Sequence, residues 1–164
     1  MTTVDIPETE TPEALVIPRI TIWAPGRPAP KGSHKLGNAG QLRDASAYLA
    51  AWSGSWSGTG RNRRRLAGAV ERATYEKYRE IGVKPERLPI FRGPVGVQIT
   101  FLLDPGQRID GPPDVDKLER GTWDALTQAR VWEDDARVVS SAASKASAHD
   151  WQTGALIVVW AITP

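Results

Sequence analysis

Cysteine is absent from this 164-residue chain, and histidine occurs only at His34 and His149. That excludes disulfides and thiolate metal sites and argues against a histidine-rich zinc centre. A cysteine-free chain fits a reducing compartment, so a cytoplasmic location is expected. No apolar run approaches the roughly 18 residues of a membrane span, so no membrane partner is expected. The opening MTTVDIPETETPEA has neither a basic n-region nor an apolar h-region, which argues against a secretory leader. Bases are missing from residues 1–16, which hold Asp5, Glu8, Glu10 and Glu13. Acids are nearly missing from residues 17–65, where nine bases face Asp44 alone.

What is present fits one ordinary globular domain. Hydrophobic residues make up 40% and charged residues 24%, enough for a real core at this length. The polar, acidic, proline-containing residues 1–15 are predicted to be a disordered tail ahead of a domain over 16–164. Beyond the tail, residues 17–164 carry 21 bases against 15 acids. A clustered basic segment beside a separate acidic one is the pattern of an enzyme acting on nucleic acid.

Strands are predicted at 17–24 (VIPRITIW, read from Val16), 95–103 (VGVQITFLL), 137–146 and 154–162 (GALIVVWAI). Helices are predicted at 42–52, 62–80 and 117–129. The last two strands are close enough in sequence to form a hairpin. The expected fold class is α+β, a single domain with one mixed sheet packed with helices. Residues 25–40, rich in glycine and proline, read as a basic surface loop carrying Lys31 and Lys35. SGSWSGTG (53–60) reads as a flexible break. Trp52 and Trp56 there are either loop anchors or platforms for an opened base. Arg61 precedes the 62–80 helix, and Arg63, Arg64 and Arg65 fall in its first turn, against its dipole. Residues kept against local preference point to a partner, here phosphate.

The richest segment is 114–135, DVDKLERGTWDALTQARVWEDD. It holds Asp114-Val115-Asp116 and Glu133-Asp134-Asp135, with Arg120 between them. Carboxylates gathered about 4 Å apart repel by roughly 4 kcal/mol per pair at an effective dielectric near 20. A hard divalent cation offsets that directly. Singly, each acid has a structural reading: Asp116 and Glu119 nearly make a capping box, and Asp134 and Asp135 suit a turn. In an extended approach to the helix, Asp114 and Asp116 would point to one side, near an anion-binding helix N-terminus. The helix would be about 20 Å long, and residues 130–135 can retrace about that much. Asp135 therefore rejoins the first pair only if the chain doubles straight back. Otherwise it meets the pair of a symmetry mate.

These residues resemble the RusA-type Holliday junction resolvases of bacteriophages and prophages. That family has an acidic pair ahead of a helix, D-A-L within it, and D-D followed by aliphatic residues. Here these fall on Asp114, Asp116, Asp124-Ala125-Leu126, Trp132, Asp134-Asp135 and Val138-Val139. Lys145 matches a basic position, and Pro28-Ala29-Pro30-Lys31 matches a P-x-P-K near the family's start. The resemblance implies catalytic, metal-holding carboxylates at Asp114, Asp116 and Asp135. Three positions depart from the pattern: Arg120 stands for a lysine, Lys117 for an asparagine and Arg130 for a glycine. An arginine keeps the charge but is no proton donor, so Arg120 would act electrostatically.

The resemblance implies a structure-selective endodeoxyribonuclease that needs Mg²⁺, with Mn²⁺ as a substitute. It would cut four-way DNA junctions by paired symmetric nicks during recombination, repair or phage DNA processing. A nearly two-fold substrate calls for a C₂ homodimer. Lys31, Lys35, Arg61, Arg63, Arg64, Arg65, Lys117 and Lys145 would bind DNA. The host cytoplasm is the expected location if the gene is a phage's. The alternatives are a less selective branched or flap nuclease, and a non-catalytic DNA-binding protein whose acids are caps.

Overall fold

The structure, a computed structural model, describes residues 17–30, 51–57 and 59–163. In chain order the elements are β1 (Arg19–Pro25), β2 (Ser55–Ser57), β3 (Arg64–Leu66), α1 (Ala69–Ile81), β4 (Val95–Leu103), α2 (Val115–Gln128), β5 (Val138–Ser147) and β6 (Gly154–Ala161). The fold is α+β, one mixed four-stranded sheet packed with helices, as the sequence indicated. The predicted disorder at 1–15, the loop residues Lys31 and Lys35, and most of the 42–52 helix lie outside the described residues. Residues 51–53 are helical.

Alternation builds the sheet. Ile20, Ile22 and Ala24 of β1 are buried while their neighbours are exposed. Val95, Val97, Ile99, Phe101 and Leu103 of β4 point the same way, as do Ala155, Ile157 and Val159 of β6. Both helices cover that face. α1 buries Val70, Ala73, Thr74 and Tyr78, and α2 buries Leu118, Thr122, Ala125 and Leu126, each at helical spacing. The Tyr78 hydroxyl donates to the Ala129 carbonyl at 2.8 Å, tying α1 to the end of α2. Trp132, fully buried, donates to Thr127 Oγ1 at 2.7 Å. Truncating an aromatic of this size in a core typically costs about 3–5 kcal/mol.

Two expectations fail. β5 and β6 form no hairpin: the strand order is β1-β6-β4-β5, with β4 between them. β5 instead runs parallel to β4, joined to it through α2, while β6 is antiparallel to β1 and β4. Residues 148–153 cross the end of β4, where the Ala148 amide donates to the Leu103 carbonyl at 2.8 Å. Nearness in sequence does not fix strand neighbours when a helix crossover already claims one edge.

The second failure is at 53–66. The break contains β2, which pairs antiparallel with β3, so residues 61–65 are not a helix end. α1 begins only at Ala69, after Gly68. A Cβ at Gly68 would sit 2.2 Å from the Trp52 carbonyl oxygen, so only glycine allows this approach. Arg65 also pairs with the buried Glu71, which holds β3 extended against the first turn of α1.

Candidate active site

Asp114 occupies the N-cap position of α2, with extended φ −67° and ψ 140°. Asp116 is already in the first helical turn, so the extended alternation expected for the pair does not occur. Neither acid is spent on capping: the Asp114 side chain makes no cap hydrogen bond. Its Oδ2 faces Lys117 Nζ at 3.1 Å, and Asp116 Oδ2 faces Arg120 at 3.6 Å. Both carboxylates are 59% exposed. Exposed pairs of this kind are worth about 0.2–1 kcal/mol, too little to lock a carboxylate against a competing cation. Two hard oxygen donors thus stand at a helix N-terminus, beside the positive end of its dipole.

Lys145 sits behind them. Its ammonium donates to the Gly111 carbonyl at 2.8 Å and the Pro113 carbonyl at 3.0 Å. In this structure the residue expected to contact DNA ties down the approach to Asp114.

Asp135 is elsewhere. After α2 the chain does not double back along the helix. Residues 130–131 lie beside 90–91, with Ile90 N donating to Arg130 O at 3.3 Å and Phe91 N to Val131 O at 3.0 Å. Asp135 opens a 3₁₀ turn, Asp135–Arg137, just ahead of β5. Val138 pairs with Val95 at the start of β4, whereas Asp114 follows the end of β4. The strand from Val138 to Lys145 alone covers roughly 23 Å. Within one chain, Asp114 and Asp116 are therefore together and Asp135 is not with them. Among the described residues no group of three or more His, Cys, Asp or Glu could hold a metal ion. Asp134 caps the turn, accepting from Ala136 N at 2.7 Å, and Glu133 pairs with Arg137 at 3.5 Å. The exposed Asp135 carboxylate has neither kind of partner among the described residues.

A family profile for endodeoxyribonuclease RusA matches residues 25–154. The chain belongs to the RusA family. None of the curated proteins compared with it matches. RusA membership makes it an endodeoxyribonuclease of the kind that acts on Holliday junctions. The matched span includes both acidic groups, the helix between them and Lys145. Of the departures from the RusA pattern, Lys117 and Arg120 are the two cations that face the acidic pair. Arg130 adopts φ 59°, the left-handed conformation that a glycine takes freely. No helix among the described residues is long and apolar enough to cross a membrane.

The basic segment divides. Arg61 and Arg64 are exposed on the turn and strand of the β2–β3 ribbon, and Arg63 lies between them. Arg65 is bound to Glu71 and to the Ser53 carbonyl at 3.2 Å, so it braces the ribbon. Burial raises the Glu71 carboxyl above its ordinary range, against the opposing pull of Arg65. Trp52 is an anchor: it is 1% exposed and donates to Thr122 Oγ1 at 3.3 Å. Sequence reasoning missed Glu71, whose only signal was an acid facing the core side of an amphipathic helix. It also missed Trp151, which is 80% exposed.

Proposed function

We propose that this RusA-family chain is a Mg²⁺-dependent resolvase that cuts four-way junctions by paired symmetric nicks, as a homodimer. The observation that carries this reading is the separation within one chain of Asp135 from Asp114 and Asp116, all three in the family's pattern. Asp114 and Asp116 of one subunit and Asp135 of the partner subunit would hold the metal. The donor set fits: all are carboxylates, which suit Mg²⁺ or Mn²⁺, and neither helix acid is engaged as a cap. Bound there, the ion would neutralise charge on the scissile phosphate and lower the pKa of the attacking water. Arg120 leaves Asp116 to meet a phosphate oxygen and stabilise the charge developing on it. Arg61 and Arg64 bind backbone phosphates on the approaching arms, giving affinity that falls with salt. Its place is the cytoplasm, that of the bacterial host if the gene is a phage's, in recombination, repair or phage DNA processing.

The β5 edge is the surface that suits the dimer. It ends the sheet, is largely exposed, and carries no charge before Lys145. Edge strands are ordinarily blunted by charge or proline, and this one is not. Antiparallel pairing of two β5 strands about Ser140 sets Asp135 of the partner subunit level with Lys145, and so beside the acidic pair.

The test uses a labelled four-way junction, a linear duplex and a flap substrate, each with Mg²⁺ and with EDTA. Symmetric nicking of the junction alone, abolished by EDTA and by Asp116→Asn, is the expected result. Equal cutting of all three would replace it with a general branched-DNA nuclease. Junction binding without cutting would remove the enzyme reading.

A further inference from the structure

Trp151 is 80% exposed, the largest exposure among the exposed large hydrophobic residues described. Its turn is not loose. Trp151 N donates to Ala148 O at 2.7 Å, closing the turn, and Ala148 itself is fully buried. On one side the Ala148 amide binds the Leu103 carbonyl at the end of β4. On the other, Thr153 Oγ1 donates to Asp104 Oδ1 at 2.8 Å, and the Thr153 carbonyl accepts from Gly26 N at 3.0 Å. Four strand ends thus fix the base of a short turn that holds an indole out in solvent. Because the turn's backbone is already fixed, binding through the indole does not have to order a loop first.

The turn sits at the same end of the sheet as the acidic pair. Lys145, on β5, reaches the segment that enters Asp114, and β5 ends at Ser147, just before the turn. The tip itself carries no lysine or arginine; its neighbours are His149, Asp150 and Gln152. Such a tip does not attract phosphate. What it offers is a π surface, and the complement of that is the face of a base. A continuous duplex hides its base faces in the stack. A branch point, a gap or a single strand exposes them.

We propose that Trp151 is a substrate-contacting residue that stacks on a base exposed at the branch point, so that it selects branched over continuous DNA. This rests on the junction-nuclease reading and deepens it, because it assigns part of the selectivity to one side chain outside the carboxylate site. Base–aromatic stacking typically accounts for about a ten-fold change in affinity per base.

The experiment measures binding of native protein, Trp151→Ala and Trp151→Phe to a four-way junction and to a linear duplex, in Ca²⁺ to suppress cutting. Junctions carry 2-aminopurine at the branch point. Trp151→Ala is expected to lose about ten-fold in junction affinity with duplex affinity unchanged, and Trp151→Phe to retain most of it. The native protein should quench the 2-aminopurine, and Trp151→Ala should not. Equal affinities of native protein and Trp151→Ala for the junction, or a parallel loss on both DNAs, would overturn the assignment. So would a Trp151→Ala protein that turns monomeric in sedimentation, which would make the indole a subunit contact. A native protein with no preference for junctions would instead defeat the underlying junction-selective reading, and the tryptophan's role with it.

Discussion

Lys117 Nζ lies 3.1 Å from Asp114 Oδ2, across one turn of the helix whose N-terminus carries the acidic pair. The pair is exposed and weak, yet it occupies a carboxylate that a divalent ion needs. Lys117→Asn removes the competitor and leaves a neutral oxygen donor. The Mg²⁺ concentration for half-maximal nicking is expected to fall about two- to five-fold, the equivalent of one exposed ion pair. A Mg²⁺ titration at fixed DNA reads this directly. An unchanged midpoint would mean that Lys117 does not compete at Asp114.

Completion of the site by a partner has its own signature. Asp116→Asn and Asp135→Asn proteins are each expected to be inactive. After subunit exchange, half the dimers are mixed, and each mixed dimer has one intact site if Asp135 acts across the interface. Nicking should return to about a quarter of the native level, as single nicks without full resolution. Mixtures that stay inactive would place Asp135 outside the shared site.

The proposed β5 pairing predicts a symmetric contact at Ser140. Opposed residues on antiparallel strands have Cβ atoms about 4.5–5.5 Å apart, close enough for a strained crosslink. Because the native chain has no cysteine, Ser140→Cys introduces the sole thiol. Mild oxidation should give a dimer of twice the mass on a non-reducing gel, while Ser147→Cys should not. Crosslinking at both positions, or neither, would move the interface.

Glu71 links stability to pH. Burial raises its carboxyl above the ordinary 4.5, although Arg65 pulls the other way. An acid whose folded pKa exceeds its unfolded value adds stability that is complete below the unfolded value and lost as pH rises through the folded one. Relative to Glu71→Gln, the native protein should therefore gain stability as pH falls from neutral towards about 4.5. Urea unfolding of both proteins across that range tests it. A difference that is flat, or that grows towards high pH, would mean that Arg65 dominates.

Arg130 holds a left-handed backbone at the end of α2, where its amide donates to Thr127 O at 3.0 Å. For a residue with a Cβ this conformation costs about 1 kcal/mol, which Arg130→Gly would relieve. The change also removes an exposed bond from the guanidinium to the Leu88 carbonyl. A net gain of about 0.5 kcal/mol in chemical denaturation is expected. A loss of stability would show that the Leu88 contact outweighs the strain.

Local rules made most of the fold legible. The continuous apolar run of β4 and the alternation of β1 placed those strands, because burial on one face imposes a period of two on any half-buried strand. The spacing of Leu118, Ala125 and Leu126 likewise placed α2, which starts two residues earlier than the pattern indicated. The β2–β3 ribbon was not legible, because a short strand among serines and glycines carries no apolar pattern. Its arginines were misassigned as a group for the same reason. Only packing shows that Arg65 turns inward to Glu71 while Arg64 stays outside.

The sequence by itself determined the chemistry: oxygen donors, no thiols, clustered bases, and the joint spacing of 114–145 that places the chain among the RusA endodeoxyribonucleases. Only the tertiary structure decided where those groups stand. A helix and a parallel strand carry Asp135 to the far end of the sheet from Asp114 and Asp116. Spacing along a chain bounds a distance but not a direction, and the direction was set by β5 pairing with β4.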